Sequence, residues 1–168
     1  MIVCDSTVLI YLSKIGRLGL LKRLFGKVLI PEEVKKEVVD EGRKRNHIDA
    51  ADVEKAILRG WIGVKVTSID PILENIGIDK GEAEAISLAY YQKKGILLDQ
   101  THAREAAKLL KLKPRGTIYV LFLALKKRQI SYRQYELCLL DLVDTGFRLS
   151  EEVYIEALRM GKELSRKR

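Results

Sequence analysis

The sequence predicts an α/β fold in which a parallel sheet is covered by helices. Short apolar runs alternate along the chain with stretches whose apolar residues follow helical spacing, which is the pattern of such a sheet. The chain has 168 residues, enough for one domain with a sizeable core. Hydrophobic residues make up 47% and charged residues 32%, a globular composition that excludes disordered and collagen-like chains. We therefore expect a single domain over residues 1–168, closed by helices at about 117–163.

The first half of the chain predicts alternating strands and helices. The strands are expected at 2–4, 28–30 and 62–66, and the helices from Ser6 onward and at 18–25, 31–41 and 48–59. Pro31 suits the first turn of its helix, because its missing N–H is no loss there. Gly26, Gly42 and Gly60 follow helical stretches, where glycine commonly ends a helix. The polar stretch 43–46 is a predicted loop.

The second half continues the alternation and then becomes helical. Asp79 and Glu82 have the spacing of a capping box, which predicts a helix from there to Gly95. A strand at 96–98 follows, and Thr101 is a candidate cap for the next helix. We expect a short fifth strand between Leu112 and Thr117. The remainder predicts three helices, at 117–128, 131–144 and 150–163, and Ser131 and Gln134 have the spacing of a capping box for the second of them.

Composition and motifs exclude several classes of protein. The longest apolar run, 118–125, is too short to span a membrane, and the first residues lack the features of a signal peptide, so we expect a cytoplasmic chain without a membrane partner. Cys4 and Cys138 lie inside apolar patterns and are expected to be small buried hydrophobes. His47 and His102 lack the spacing of zinc ligands.

Nucleotide-binding loops and the serine hydrolase elbow are missing from the sequence as well. The chain carries 31 Lys and Arg against 23 Asp and Glu, a net charge of +8. This surplus favours polyanionic partners such as nucleic acid, without indicating any chemistry.

Four acids are candidates for a site. Asp5 and Asp99 directly follow the first and fourth predicted strands, and open parallel sheets bind ligands at the carboxyl ends of their strands. Each aspartate has an alternative role as a helix cap. Glu37 has the alternative of a solvated helical residue, and Glu82 is explained by the capping box.

Several segments of the chain resemble PIN-domain proteins. They are Asp5-Ser6-Thr7-Val8-Leu9-Ile10, Pro31-x-x-Val34-x-x-Glu37, Gly81-Glu82-Ala83-Glu84-Ala85-Ile86, Leu97-Leu98-Asp99 followed by Ala103-Arg104, and a Gly116-Thr117 turn. The resemblance is closest to the prokaryotic branch related to the toxin ribonucleases of VapBC-type toxin–antitoxin pairs. It implies a three-layer α/β/α sandwich with about five parallel strands, cleavage of single-stranded RNA with Mg²⁺ or Mn²⁺, homodimerisation and an antitoxin protein as partner.

The resemblance also implies the roles of individual residues. Asp5, Glu37, Glu82 and Asp99 match the metal-holding catalytic acids of the family, and Ser6 matches an accessory position. Crowded carboxylates raise one another's pKa unless a cation compensates for their charge, so the chemistry supports a metal here. We expect Asp5 and Asp99 to bind the metal directly, and the two glutamates to share it or to act through water.

Gln100 is a second accessory candidate, but it departs from the pattern, because close relatives often carry a second acid at that position. This departure motivates an alternative function, a catalytically inactive PIN-like RNA-binding or scaffold protein. A phosphate-sensing receiver domain fits less well, because Val66-Thr67-Ser68 stands where its phosphoacceptor would be.

Basic residues must hold the RNA backbone near an acidic centre. The candidates near the acids and in the closing helices are Arg104, Lys126, Lys127 and Arg128, and further basic residues lie at 43–45 and 108–115.

Overall fold

The computed structural model describes residues 1–166, apart from the side chain of Ile48. Lys167 and Arg168, the last two residues of the expected domain, lie outside the described residues. The described part contains four strands, β1 (Ile2–Cys4), β2 (Val28–Pro31), β3 (Ile62–Lys65) and β4 (Ile96–Leu97). All strand pairs are parallel, and the strand order is β3-β2-β1-β4. The predicted α/β class with a parallel sheet is confirmed.

Helices surround this sheet. The α-helices are α1 (Ser6–Lys14), α2 (Gly19–Phe25), α3 (Glu32–Lys35), α4 (Gly42–Lys44), α5 (Ile48–Leu58), α6 (Lys80–Tyr91), α7 (Thr101–Leu109), α8 (Thr117–Lys126), α9 (Tyr132–Asp144) and α10 (Glu151–Arg166). A π-helical segment, Lys36–Glu41, joins α3 to α4, and a 3₁₀ turn, Pro71–Leu73, precedes α6. Every helix within residues 1–166 is too short or too polar to cross a lipid bilayer.

The strands divide the core into two apolar layers. Ile2 and Cys4 of β1 pack into the cluster built with α1, α2, α8 and α9, whereas Val3 packs into the cluster built with α6 and α7. Successive side chains of a strand point to opposite faces, so the buried run of β1 supplies both layers. The sheet is therefore covered on both faces, which confirms the three-layer sandwich. Cys4 and Cys138 are buried and unpaired with each other, as expected.

The expected fifth strand is reduced to a single bridge. Arg115 pairs with Leu97, accepting the N–H of Leu98 at 2.7 Å and donating to Ile96 at 3.1 Å. Pro114, the residue before, has no N–H to donate to a ladder. The sheet described by the structure thus has four strands instead of about five.

The helix after β2 continues past Gly42, so the predicted end at this glycine and the loop from residue 43 are wrong. Gly42 has a helical φ of −59°. A Cβ at Gly42 would lie 2.8 Å from Cβ of Ala50, so the glycine allows close packing against α5. Gly26, by contrast, ends α2 as predicted, with a φ of +74°. A glycine's place in the sequence does not distinguish these two uses.

Three smaller differences concern helix ends. Pro31 is the last residue of β2 and occupies the cap position of α3, so it precedes the first helical turn. The helix begun at Lys80 ends at Tyr91, because Lys93 takes the left-handed turn (φ +51°) expected at Gly95. Thr101 is the first residue of α7 and Gln100 occupies its cap position, so the predicted Thr101 cap is wrong.

Candidate active site at the carboxyl edge of the sheet

The sheet topology places the two candidate aspartates side by side. Strand β1 is the switch point of the sheet, because β2 and β3 extend from one side of it and β4 lies on the other. Asp5 follows β1 and Asp99 lies just beyond β4. Ligands of open α/β sheets bind outside the carboxyl ends of the strands at such a switch point.

Asp5 is buried without serving as a helix cap. It occupies the position before α1 and is 1% exposed. Among the residues described, neither oxygen of its carboxylate accepts a well-formed hydrogen bond, although the backbone N–H groups of Ser6 and Thr7 are close enough to influence its pKa. Buried polar groups are nearly always hydrogen-bonded, and leaving a carboxylate unpaired is costly. The capping alternative therefore does not account for Asp5.

The surroundings of Asp5 disfavour its charge. Burial, together with the charges of Glu82 and Glu37, raises the pKa of Asp5 from 3.8 to about 7. The backbone N–H groups of Ser6 and Thr7 act in the opposite direction. An opposite charge is what this carboxylate lacks.

Glu37 lies in the π-helical segment and approaches the start of α6. A Cβ at Gly81 would lie 3.5 Å from Oε2 of Glu37, which places this carboxylate beside the residue before Glu82. Although Glu37 is an exposed residue, partial burial of its carboxylate raises its pKa, and the buried Ser6 side chain partly offsets the rise. Departures into π geometry are frequent at functional sites. The placement favours a site residue over a solvated helical glutamate.

Glu82 has one carboxylate oxygen engaged and one unengaged. The Asp79 N–H donates to Oε2 of Glu82 at 3.1 Å, which is one of the two contacts of the predicted capping box, and the capping box is confirmed. The other oxygen, Oε1, is buried and lacks a partner among residues 1–166. Burial raises the pKa of Glu82, the charges of Asp79 and Glu37 add to the rise, and His102 lowers it. The capping box therefore accounts for the position of Oε2 but not for the buried Oε1.

Asp99 is held differently from the other three acids. The backbone N–H and the hydroxyl of Thr117 donate to its two oxygens, at 2.8 and 2.6 Å. Burial raises the pKa of Asp99, while Thr117 and the nearby Arg104 guanidinium lower it. Asp99 therefore fixes the start of α8. The structure brings Asp5, Glu37 and Glu82 together and commits both oxygens of Asp99 to Thr117.

The accessory and basic candidates lie at different distances from this group. Ser6 is beside Glu37, whereas Gln100 is exposed at the cap position of α7. Arg104 donates to the Leu98 carbonyl at 3.0 Å, next to Asp99. The exposed set Lys126, Lys127 and Arg128 lies at the far end of α8. At a rise of about 1.5 Å per residue, this end is about 14 Å from Thr117.

Sequence reasoning missed the contacts that hold the two glutamate-bearing helices together. Oε2 of Glu84 accepts the N–H of Glu33 at 3.2 Å, and Lys80 bridges Glu33 and Glu84 at 2.9 and 3.7 Å. The contact joins residues 51 positions apart, so no local pattern predicts it. It fixes α3 against α6 and thereby holds Glu37 near Glu82.

The donor set fits a hard divalent cation. Asp5 and Glu82 together present three buried oxygens that lack partners within the described part of the chain. Oxygen ligands suit Mg²⁺, which needs only one or two direct carboxylates and keeps several waters. In residues 1–166, no three Asp, Glu, His or Cys side chains are arranged so that together they could hold a metal ion, so direct contacts to a cation would come from one or two carboxylates and the remaining ligands would be water.

Comparison with known proteins agrees with this architecture. A family model described as PIN domain matches residues 1–163, a range that includes all four candidate acids. Comparisons with curated proteins and with solved structures return no match. PIN domains are generally nucleases, so the match supports nuclease chemistry in general terms. The resemblance to PIN-domain proteins is confirmed, and the chain belongs to the PIN-domain family.

Proposed function

We propose that this protein is a metal-dependent endoribonuclease that cleaves single-stranded RNA. The observation that carries the proposal is the Asp5 carboxylate, buried at the carboxyl end of β1 with both oxygens unpaired among the described residues. Glu37 and Glu82 lie close enough to raise its pKa. A carboxylate without a compensating charge at the switch point of the sheet favours a cation-dependent site over a structural role.

Asp5, Glu37 and Glu82 would hold Mg²⁺ or Mn²⁺, and Asp99 remains the fourth proposed acid. Of the four, Asp99 is the only one with both oxygens already engaged by a hydrogen-bond donor in the described structure. We therefore propose Asp5 as the principal direct ligand. Asp99, held by Thr117, would contribute without contacting the metal directly. This proposal differs from the expectation that Asp99 binds the metal directly.

A divalent ion at this site would supply a Lewis acid and an activated water for phosphodiester hydrolysis. The chain itself provides rigid placement, because Asp5 is anchored by the central strand and Glu82 by its capping bond from Asp79. With a pKa of about 7, Asp5 carries a proton for much of the time at neutral pH when no cation is near. Cation binding and loss of this proton are therefore linked.

The proposed substrate follows from the distribution of charge. The four candidate acids Asp5, Glu37, Glu82 and Asp99, here called the acid group, repel a phosphate backbone. The chain as a whole, however, carries a net charge of +8. Basic residues outside the acid group must therefore supply the attraction, and Arg104 is the predicted contact that lies nearest to Asp99. Contacts of this kind hold phosphates and carry little sequence information.

The proposal is tested by incubating purified protein with single-stranded RNA and Mn²⁺. We expect cleavage products that are abolished by EDTA and restored by excess Mn²⁺. Salt-sensitive binding of RNA without product would instead indicate the non-catalytic RNA-binding alternative. A product that persists in EDTA would contradict metal dependence.

We further propose that the chain is the cytoplasmic toxin of a toxin–antitoxin pair, acting as a homodimer and counteracted by a small antitoxin that covers the acid group. Support comes from the motif resemblance and, for the dimer, from Leu137 and Leu140, which are about half exposed and three positions apart on α9. Induced expression in bacteria is expected to arrest growth, and the Asp5→Asn variant is expected not to. Equal arrest by both would contradict the toxin role.

A further inference from the structure

A cleft lined by arginines lies beside the acid group. It has a volume of about 400 Å³ and lies between the start of α7, the turn before α8 and the segment that leads into α10. Three arginines line it, Arg104, Arg115 and Arg148. Asp99 is the acid in the lining, and its oxygens are engaged by Thr117. The cleft therefore has a surplus of positive charge.

The arginines of the cleft differ in how they are held. Arg104 is fixed by the Leu98 carbonyl at 3.0 Å. The guanidinium of Arg115 lies 4.9 Å from the centre of the Tyr119 ring, and Arg148 is exposed. A guanidinium stacked on an aromatic ring keeps its N–H donors available for a phosphate in the plane of the group.

One wall of the cleft is aromatic. Tyr119 and Phe147 line it, and both are partly buried. The Phe147 ring contacts Tyr11 edge-on at 4.9 Å between ring centres, which fixes its position. Aromatic faces beside arginines are the combination that binds nucleotides of single strands, by stacking of the base and pairing of the phosphate.

The cleft adjoins the proposed catalytic centre. Asp99 belongs both to the cleft and to the carboxyl edge of the sheet, and Cys4 lies near enough to Asp5 and Asp99 for both charges to raise its pKa. Another pocket, lined by Arg59 and Trp61, lies at the start of β3. Because the strands are parallel, this pocket lies at the edge of the sheet opposite to the acid group. Position thus favours the arginine cleft as the substrate contact.

We propose that this cleft binds a nucleotide of the RNA strand next to the one that is cleaved, with its phosphate on Arg115 and Arg148 and its base against Tyr119. The proposal depends on the proposed function for the identity of the strand. It adds a binding subsite, which makes it separable from catalysis by a binding measurement.

The test uses fluorescence anisotropy of a labelled single-stranded RNA of about ten nucleotides in EDTA, so that no cleavage intervenes. For the double variant Arg115→Ala/Arg148→Ala, we expect binding weaker by about 10-fold to 100-fold, and a salt dependence of log K shallower by about 0.7 for each lost phosphate contact. The matched control is Arg59→Ala at the opposite edge, which is expected to change binding by less than about twofold.

Binding and cleavage distinguish the two proposals. If the unmodified protein cleaves RNA but the double variant binds like Arg59→Ala, the subsite is wrong and the nuclease proposal stands. If the unmodified protein does not cleave but binding falls in the double variant, the subsite stands and the nuclease proposal fails. Circular dichroism of each variant checks the fold. In a competition experiment, free phosphate that displaces the RNA at a concentration equal to that of the RNA would contradict recognition of a nucleotide.

Discussion

Replacement of Asp5 by Asn is expected to reduce metal-dependent RNA cleavage by about 10³-fold, because it removes the carboxylate proposed as the principal metal ligand. The amide is nearly the same size, so the packing at the end of β1 is expected to persist. The measurement is the rate of product formation at saturating Mn²⁺, followed by gel electrophoresis of a labelled single-stranded RNA.

The matched control is Asp144→Asn, the same chemical change at an exposed position at the end of α9. Its activity is expected to remain within about twofold of the unmodified protein. If both variants cleave at the rate of the unmodified protein, Asp5 does not hold the catalytic metal. Loss of activity in both would point to an effect of net charge and would also contradict the assignment.

The free energy of unfolding of the metal-free protein is expected to fall as the pH rises from 5 to 8. In the folded state the pKa of Asp5 is about 7, against 3.8 for an ordinary aspartate. Between these values the folded protein binds more protons than the unfolded chain, so a rising pH favours unfolding. For Asp5 alone the expected loss over this range is about 2–3 kcal/mol.

Urea unfolding in EDTA at both pH values measures this loss, and Asp5→Asn isolates the contribution of Asp5. We expect the variant to be more stable than the unmodified protein at pH 8, and we expect this advantage to be smaller by about 2–3 kcal/mol at pH 5. Addition of Mg²⁺ at pH 8 should raise the stability of the unmodified protein and leave the variant nearly unchanged, because a ligand stabilises the state that binds it. A variant that is less stable at pH 8 would contradict an uncompensated carboxylate.

A gain in stability together with a loss of activity would mark Asp5 as a residue kept for function. Stabilising substitutions are common where a protein keeps a strained or destabilised active site. In this chain the destabilisation from buried oxygens without hydrogen-bond partners is localised at the site. Three such oxygens in the described residues belong to Asp5 and Glu82. A purely structural carboxylate would have been expected to find a donor.

Local sequence patterns predicted the parts of the fold that depend on neighbours along the chain. The apolar run 2–4 identified β1, and the spacing of Ser131 and Gln134 identified a capping box whose two hydrogen bonds measure 2.8 and 3.1 Å. Asp5 could be placed at the sheet edge for the same reason. Whether Asp5 caps a helix could not be decided from sequence, because the answer depends on the orientation of its side chain near Glu37 of the π-helical segment and Glu82 of α6.

The errors and omissions come from contacts between distant residues. Gly42 has the position of a helix end, but its packing against Ala50 makes it a helical residue. The two hydrogen bonds from Thr117 to Asp99 were not predicted, because they join residues 18 positions apart. Such contacts are set by the packing of helices across the sheet and leave no periodic signal in the chain.

The most direct test of the central claim is a crystal structure of the protein soaked in Mn²⁺, with anomalous scattering recorded for the metal. We expect one or more peaks within about 2.0–2.4 Å of an Asp5 carboxylate oxygen, with Glu37 or Glu82 in the same coordination shell or linked to it by a bound water. An ordered Mn²⁺ found only elsewhere, with the Asp5 carboxylate still without a ligand, would contradict the assignment of this site.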